Sequence, residues 1–170
     1  MLPLKKMLLS ASLLSLFAII GTSLVAFTHE STRERIAQNE RDTLLHSLHA
    51  LIPPERHDND LVNDSITITA PHLLGSPEPQ QAYRARKNNQ PVALALTAVA
   101  PDGYSGDIHL LIASNHDGSL AGVRVTAHRE TPGLGDKVDS ARSDWIHGFA
   151  GRSLSDPPPD KWKVKKDGGV

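Results

Sequence analysis

From Met7 to Phe27 the chain reads "MLLSASLLSLFAIIGTSLVAF", twenty-one residues without a charged side chain. Nothing else in the sequence restricts the fold as strongly. A helix of that length rises roughly 30 Å at about 1.5 Å per residue, the thickness of a bilayer's hydrocarbon core. Lys5 and Lys6 precede it. Positive flanks stay on the cytoplasmic side, so the N-terminus is expected inside and everything after Phe27 outside. A cleaved signal peptide is the alternative. The apolar run is longer than a usual signal core and no A-x-A site closes it, so an uncleaved anchor over residues 1–28 is expected. On either reading the rest of the chain is exported.

Residues 29–54 predict a membrane-proximal helix. Ser31 or Thr32 can cap it, with Glu34 three residues after Ser31 in capping-box spacing. Ile36, Leu44, Leu45, Leu48 and Leu51 form its apolar stripe, and Pro53-Pro54 stop it. Such a helix would set the distance between membrane and domain. Residues 55–170 read as one domain. "PERHDND" and the proline-rich "PHLLGSPEPQQ" are loops, and "SITITA" (65–70) is a short strand. "QAYRARKNN", "PVALALTAVA", "GDIHLLIASN" and "SLAGVRVTAHRE" then predict an antiparallel meander, with tight turns at Asn88-Asn89 and Asp117-Gly118. "VDSARSDWIHGFAG" predicts a helix capped by Asp139 or Ser140, with Val138, Ala141, Trp145, Ile146 and Phe149 on its apolar side. "KWKVKK" begins like a strand, Trp162 and Val164 alternating with lysines. The fold class expected is α+β: an N-terminal transmembrane helix, then an antiparallel-sheet domain with flanking helices.

Composition removes several functions. The net charge of -1 argues against nucleic acid, which calls for a clustered basic surplus. With no cysteine there are no disulfides, thiolate zinc sites or iron–sulfur ligands from this chain. His46 and His49 lie one helical turn apart without an accompanying HExxH pattern, so no metal site is expected. His109 is expected to be a half-buried strand residue. "GYSG" (103–106) is one residue short of a nucleophile elbow and precedes its strand, which makes it a turn. No catalytic residue is expected.

"HRETPGLGDKV" (128–138) asks for more backbone freedom than a turn needs. Thr131-Pro132-Gly133 favours a tight turn. Gly135 has no such simple role, and glycines also let a flat ligand approach the backbone. Leu134 would offer an apolar face to a planar ring, and backbone N–H groups of the loop could donate to carbonyls on its edge. Glu130, Thr131 and Asp136 would supply polar groups at the rim. From the residues alone, a structural loop and a binding surface both stay open.

"ETPGLGDKV", with "GYSGDIHLLIASNHDGSLAGVRVTAHR" before it and "SDWIHGF" and "WKVKKDGG" after it, resembles the flavin mononucleotide (FMN)-binding domain of the G subunits of Rnf/Rsx electron-transport complexes. The related C subunits of sodium-pumping quinone reductases share that domain. The resemblance is dense from about Pro101 to Gly169, and the single anchor matches it in kind. It implies an FMN electron carrier in a complex that couples redox chemistry to ion transport. Its partners would be other membrane subunits and the membrane itself, and its place the bacterial cytoplasmic (inner) membrane, domain on the outer side. It also implies that Glu130, Thr131, Gly133, Leu134 and Gly135 bind the cofactor.

In that family FMN is attached through its phosphate to the threonine of an S/T-G-A-T motif. No such motif occurs in these 170 residues. It would follow the "KKDGG" turn, where the sequence stops. The expectation is a fragment or truncated product without covalent flavin, its sheet completed by residues further on. A non-redox, membrane-anchored scaffold of the same kind of complex is the alternative.

Overall fold

The computed structural model describes residues 4–163 and 167–169. The chain divides into two compact units, Met1–Thr43 and Leu44–Val170.

The first unit is helical. Helix α1 (Leu4–Leu51) is continuous over 48 residues, and its last two turns belong to the second unit. It is the one helix, among the described residues, long and apolar enough to cross a membrane. Leu9, Phe17, Ile20 and Leu24 are all exposed. The hydroxyls of Ser12, Ser15, Thr22 and Thr28 donate to the carbonyls of Leu9, Ala11, Ala18 and Leu24. The helix therefore leaves none of these four hydroxyls unpaired, a requirement inside a lipid phase.

The helix start expected at Ser31 or Thr32 is not there. The Ser31 and Thr32 hydroxyls turn back to the Thr28 carbonyl, at 3.1 and 2.8 Å, and the helix runs on. Hydroxyl residues cap a helix or sit within one, and no proline or glycine near residue 28 forces a break. Ile36, expected in the apolar stripe, is 50% exposed, so the buried stripe begins later, at Leu44.

In the second unit the end of α1 packs against an antiparallel sheet of five strands in sequence order. These are β1 (Ser65–Ile68), β2 (Gln80–Lys87), β3 (Gln90–Ala100), β4 (Ile108–Asn115) and β5 (Leu120–Ala127). Directly opposed residues share a face, so Tyr83, Ala95 and Ala113 line up across β2, β3 and β4. With Ala85, Ala93 and Leu111 they make the covered face, and Leu48, Leu51, Ile52 and Leu61 complete this core. The other face carries Leu96, Ile112 and Val123 in one row, and Leu110 and Val125 in the next.

The two predicted turns are hairpins. Asn88 and Asn89 take positive φ, 50° and 62°, the conformation of a two-residue type I′ loop. At the second, Gly118 (φ 85°) donates to the Asn115 carbonyl at 3.0 Å, and Asp117 accepts from both the backbone N–H and the hydroxyl of Ser119. The polar loop after Pro54 is fastened to β2. Asp64 pairs with Arg84 at 2.5 Å and Arg86 at 2.9 Å, and Asn59 bonds Asp64, the Arg84 carbonyl and the Arg86 N–H. Within the proline-rich stretch one helical turn forms, α2 (Pro71–Leu74), opened by Pro71 and closed by Gly75 at φ 69°.

Two expectations fail here. Residues 138–149 do not form one helix. A 3-10 turn at Asp136–Val138 is followed by a break and a 3-10 helix at Asp144–Phe149. The Asp139 carboxylate accepts the Ala141 N–H at 2.9 Å and the Ser143 hydroxyl oxygen accepts the Trp145 N–H at 3.2 Å. These local bonds compete with a continuous helical ladder. The strand expected from Lys161 is absent up to Lys163: a 3-10 turn at Pro159–Lys161 follows the prolines, and the Trp162 N–H bonds the Pro159 carbonyl at 3.3 Å. Val164 and Lys165 lie outside the described residues.

Candidate functional site

The 3-10 helix Asp144–Phe149 lies against the open face of the sheet. Ile146 is its buried anchor, 2% exposed. Trp145 meets Phe149 edge-on at 5.1 Å, and Phe149 stacks with Trp162 at 6.3 Å. Between these rings and Leu110, Ile112 and Val125 lies an apolar cleft of about 350 Å³. A second recess, about 440 Å³, adjoins it and shares Val138 and Trp145; Leu134, Gly135, Lys137 and Ser143 complete its wall.

The loop from His128 to Val138 forms one side of this recess. Glu130 is buried and points inward: its Oε1 accepts the Ser105 N–H at 3.0 Å, and its own N–H donates to His128 Nδ1 at 3.1 Å. Thr131 is exposed, and its carbonyl receives the N–H groups of Leu134 and Gly135, both at 3.1 Å. Gly133 has φ 80° and donates to Asp136 Oδ1 at 2.9 Å. Leu134 stands out at the tip, 78% exposed. Gly135 faces the other way, and a side chain there would run into Glu130.

Of the five residues singled out from sequence, Leu134 and Gly135 line the recess, while Glu130, Thr131 and Gly133 do not. Glu130 lies behind the loop, Thr131 and Gly133 on its outer surface. The backbone donors expected at a ligand's edge are already engaged, because the N–H groups of residues 133, 134 and 135 all bond within the loop. Lys137 and the Ser143 hydroxyl are the polar side chains that do face the recess. The sequence reading missed them, and it placed Trp145 only as a helix-packing residue. A lysine and an indole shortly after a glycine loop were the available signal.

His109 is exposed, not half-buried as expected, because it stands at the β4 end where a bulge shifts its pairing to Ala127. It lines an open hollow of about 470 Å³ with Gly106, Asp107, His128 and Arg129. No group of three or more metal-ligating side chains occurs among the described residues. "GYSG" is a turn, the Gly106 N–H bonding the Gly103 carbonyl at 3.3 Å.

A flat heteroaromatic ring fits this donor set. Leu134, Val138 and Trp145 supply apolar and aromatic faces, and Lys137 a cation at the rim, with no carboxylate among the described residues that line the recess.

Two family profiles match the chain: the RnfG N-terminal region over residues 1–51, and the FMN-binding domain over residues 103–170. The second contains the loop, the recess and the aromatic rings. The chain is 48% identical over 166 residues to the G subunit of the ion-translocating oxidoreductase complex of Pseudomonas aeruginosa, covering 98% of this chain and 78% of that protein. The corresponding protein of Shewanella loihica is 48% identical over 94% of this chain and 76% of its own length. That of Vibrio cholerae is 45% identical over 92% and 75%. The anchor-like helix, the glycine loop and similarity along nearly the whole chain thus agree: the protein belongs to the family of G subunits of ion-translocating oxidoreductase complexes.

Proposed function

We propose that this chain is an FMN electron-carrier subunit of a membrane-bound complex that couples electron transfer to ion translocation. Residues 1–28 would anchor it, residues 29–54 would lead away from the membrane, and residues 55–170 would hold the cofactor. The N-terminus would lie in the cytoplasm and the domain on the outer side of the inner membrane, with other membrane subunits as partners.

The observation that carries this reading is the recess itself, an exposed leucine, an indole and a lysine within the region matched to FMN-binding domains. When bound, FMN would supply reversible one- or two-electron chemistry, which no side chain here provides. The protein's part is binding and tuning. Leu134, Val138 and Trp145 would cover the ring and keep water from it. Lys137 would favour negative charge at the ring's edge and so bias the potential upward. Since no S/T-G-A-T motif is present in these residues, the contacts proposed are noncovalent.

The test is titration of the full chain in detergent with FMN, read by flavin fluorescence and by spectroelectrochemical midpoint. Saturable quenching with a midpoint displaced from that of free FMN is expected. A chain that leaves FMN fluorescence and potential unchanged would be a scaffold, not a carrier.

A further inference from the structure

We propose that His49 and His57 bind one divalent transition-metal ion, zinc or copper in type, where the end of α1 meets the loop before β1. The site is independent of the flavin reading above.

His57 is prepared as a metal ligand. Its Nδ1 lies 3.0 Å from the Asn59 carbonyl oxygen. A carbonyl only accepts, so Nδ1 carries the ring proton and Nε2 is a bare lone pair. That Nε2 is buried and has no hydrogen-bond partner among the described residues. A carbonyl on one ring nitrogen fixes the tautomer and leaves the other nitrogen free to coordinate. The carbonyl is itself held in place. The Asn59 side chain bonds Asp64, the Arg84 carbonyl and the Arg86 N–H, and the Asp58 N–H donates to the Arg86 carbonyl at 2.9 Å. His57 thus stands on a loop fastened to β2.

His49 supplies the second imidazole. It lies in the last turn of α1, among Leu48, Leu51 and Ile52, which seat the helix end in the core. Pro53-Pro54 end the helix, and the chain returns so that His57 faces His49: the ring centroids are 5.5 Å apart, with 28° between the planes. Two imidazoles sharing a tetrahedral ion, each nitrogen about 2.0–2.1 Å from it, have centroids roughly 5 Å apart. Imidazole nitrogen suits zinc and copper. No third protein donor joins the pair among the described residues, so water completes the shell and the ion is exchangeable. His46, one turn earlier, is exposed and stands outside the pair. An ion here would tie the helix end to the loop that β2 holds.

Titration of the metal-free full chain in detergent with Cu2+, read by electron paramagnetic resonance, tests the site. One tightly bound ion per chain, coupled to two ring nitrogens, is expected. His57→Ala and His49→Ala should each raise the Kd at least about tenfold, and His46→Ala should bind as the parent does. Zn2+ at a hundredfold excess over its own Kd should raise the parent's Tm by at least about 5 °C and leave that of His57→Ala unmoved. Parent-like affinity in either His57→Ala or His49→Ala would overturn the site. So would a loss in His46→Ala with none in His57→Ala, which would put the ion on the helix alone. If His57→Ala did not fold, His49→Ala would decide, since residue 49 is only half-buried.

Discussion

Glu130 fills the space that a side chain at residue 135 would need: a Cβ built on Gly135 would lie 2.9 Å from the Glu130 Cβ and 3.1 Å from its Cδ. Residue 135 has φ -99°, which any residue adopts, so contact alone demands glycine. Gly133 is the opposite case, with φ 80° and no atom within 4 Å of a built Cβ. Gly133→Ala should cost about 1 kcal/mol through backbone strain. Gly135→Ala should cost about 1–3 kcal/mol through overpacking. A double-mutant cycle with Glu130→Ala, read by thermal unfolding, should lower the cost at 135, because the carboxyl group goes while the Cβ at 2.9 Å stays, and leave that at 133 unchanged. Additive costs at 135 would refute the contact.

Leu134→Ala separates binding from folding. The side chain is mostly exposed, so unfolding should shift by no more than about 0.5 kcal/mol. Flavin affinity should fall by up to about tenfold, since a ring face would cover only part of a leucine. An unaltered Kd would reduce the loop to a turn.

Leu48 and Ile36 lie on one helix with opposite fates. Leu48 is fully buried, and Leu48→Ala should cost about 2–5 kcal/mol. Ile36 is half-exposed, and Ile36→Ala should change stability by less than about 0.5 kcal/mol. Urea unfolding of the sheet domain measures both, and equal effects would contradict the burial pattern.

Asp64 gives stability a pH dependence. Burial would raise its carboxyl pKa, but hydrogen bonds and charge from Arg86 and Arg84 outweigh that and hold it below the usual value. A depressed folded pKa means the contribution is complete above the unfolded carboxylate range, near ~4, and is lost as pH falls through the folded value. Arg84 is 39% exposed, so screening keeps the effect to about 1 kcal/mol. Asp64→Asn should be less stable than the parent at neutral pH, and the gap should begin to narrow below about pH 4 and close only as pH falls through the lower folded value. A gap that persists in acid would rule out this linkage.

Orientation is checked with reporters. An alkaline phosphatase fused after Val170 should be active and a β-galactosidase at the same point inactive, as the proposed orientation with Lys5 and Lys6 on the inner side requires. The reverse pattern would invert the topology.

The sheet was legible because its signals are local. Asn88-Asn89 and Asp117-Gly118 mark their turns chemically, and β3 to β5 are continuous apolar or alternating runs. The helix start at Ser31 and the helix after Val138 were misread for one reason: serine, threonine and aspartate side chains serve a cap, a helix interior or a turn equally well. Only the competing partners decide, and for Thr32 that partner was the Thr28 carbonyl. At the site, the loop and its apolar tip could be read from residue order. The inward turn of Glu130 and the approach of Trp145 could not, since both depend on segments far apart in sequence.

Four alanines and a leucine of the covered face, Ala85, Ala93, Ala95, Ala113 and Leu111, form a low floor beneath Leu48, Leu51 and Ile52. A methyl group is the smallest apolar spacer a sheet can carry, so the helix end rests almost on the strands' backbone. Enlarging any of these alanines would lift the whole contact, whereas Leu110, Ile112 and Val125 on the opposite face are only half-buried and border open cleft. The two sides of one sheet thus tolerate change unequally: Leu110, Ile112 and Val125 can be exchanged at the cleft while the helix end keeps its seat on the alanines.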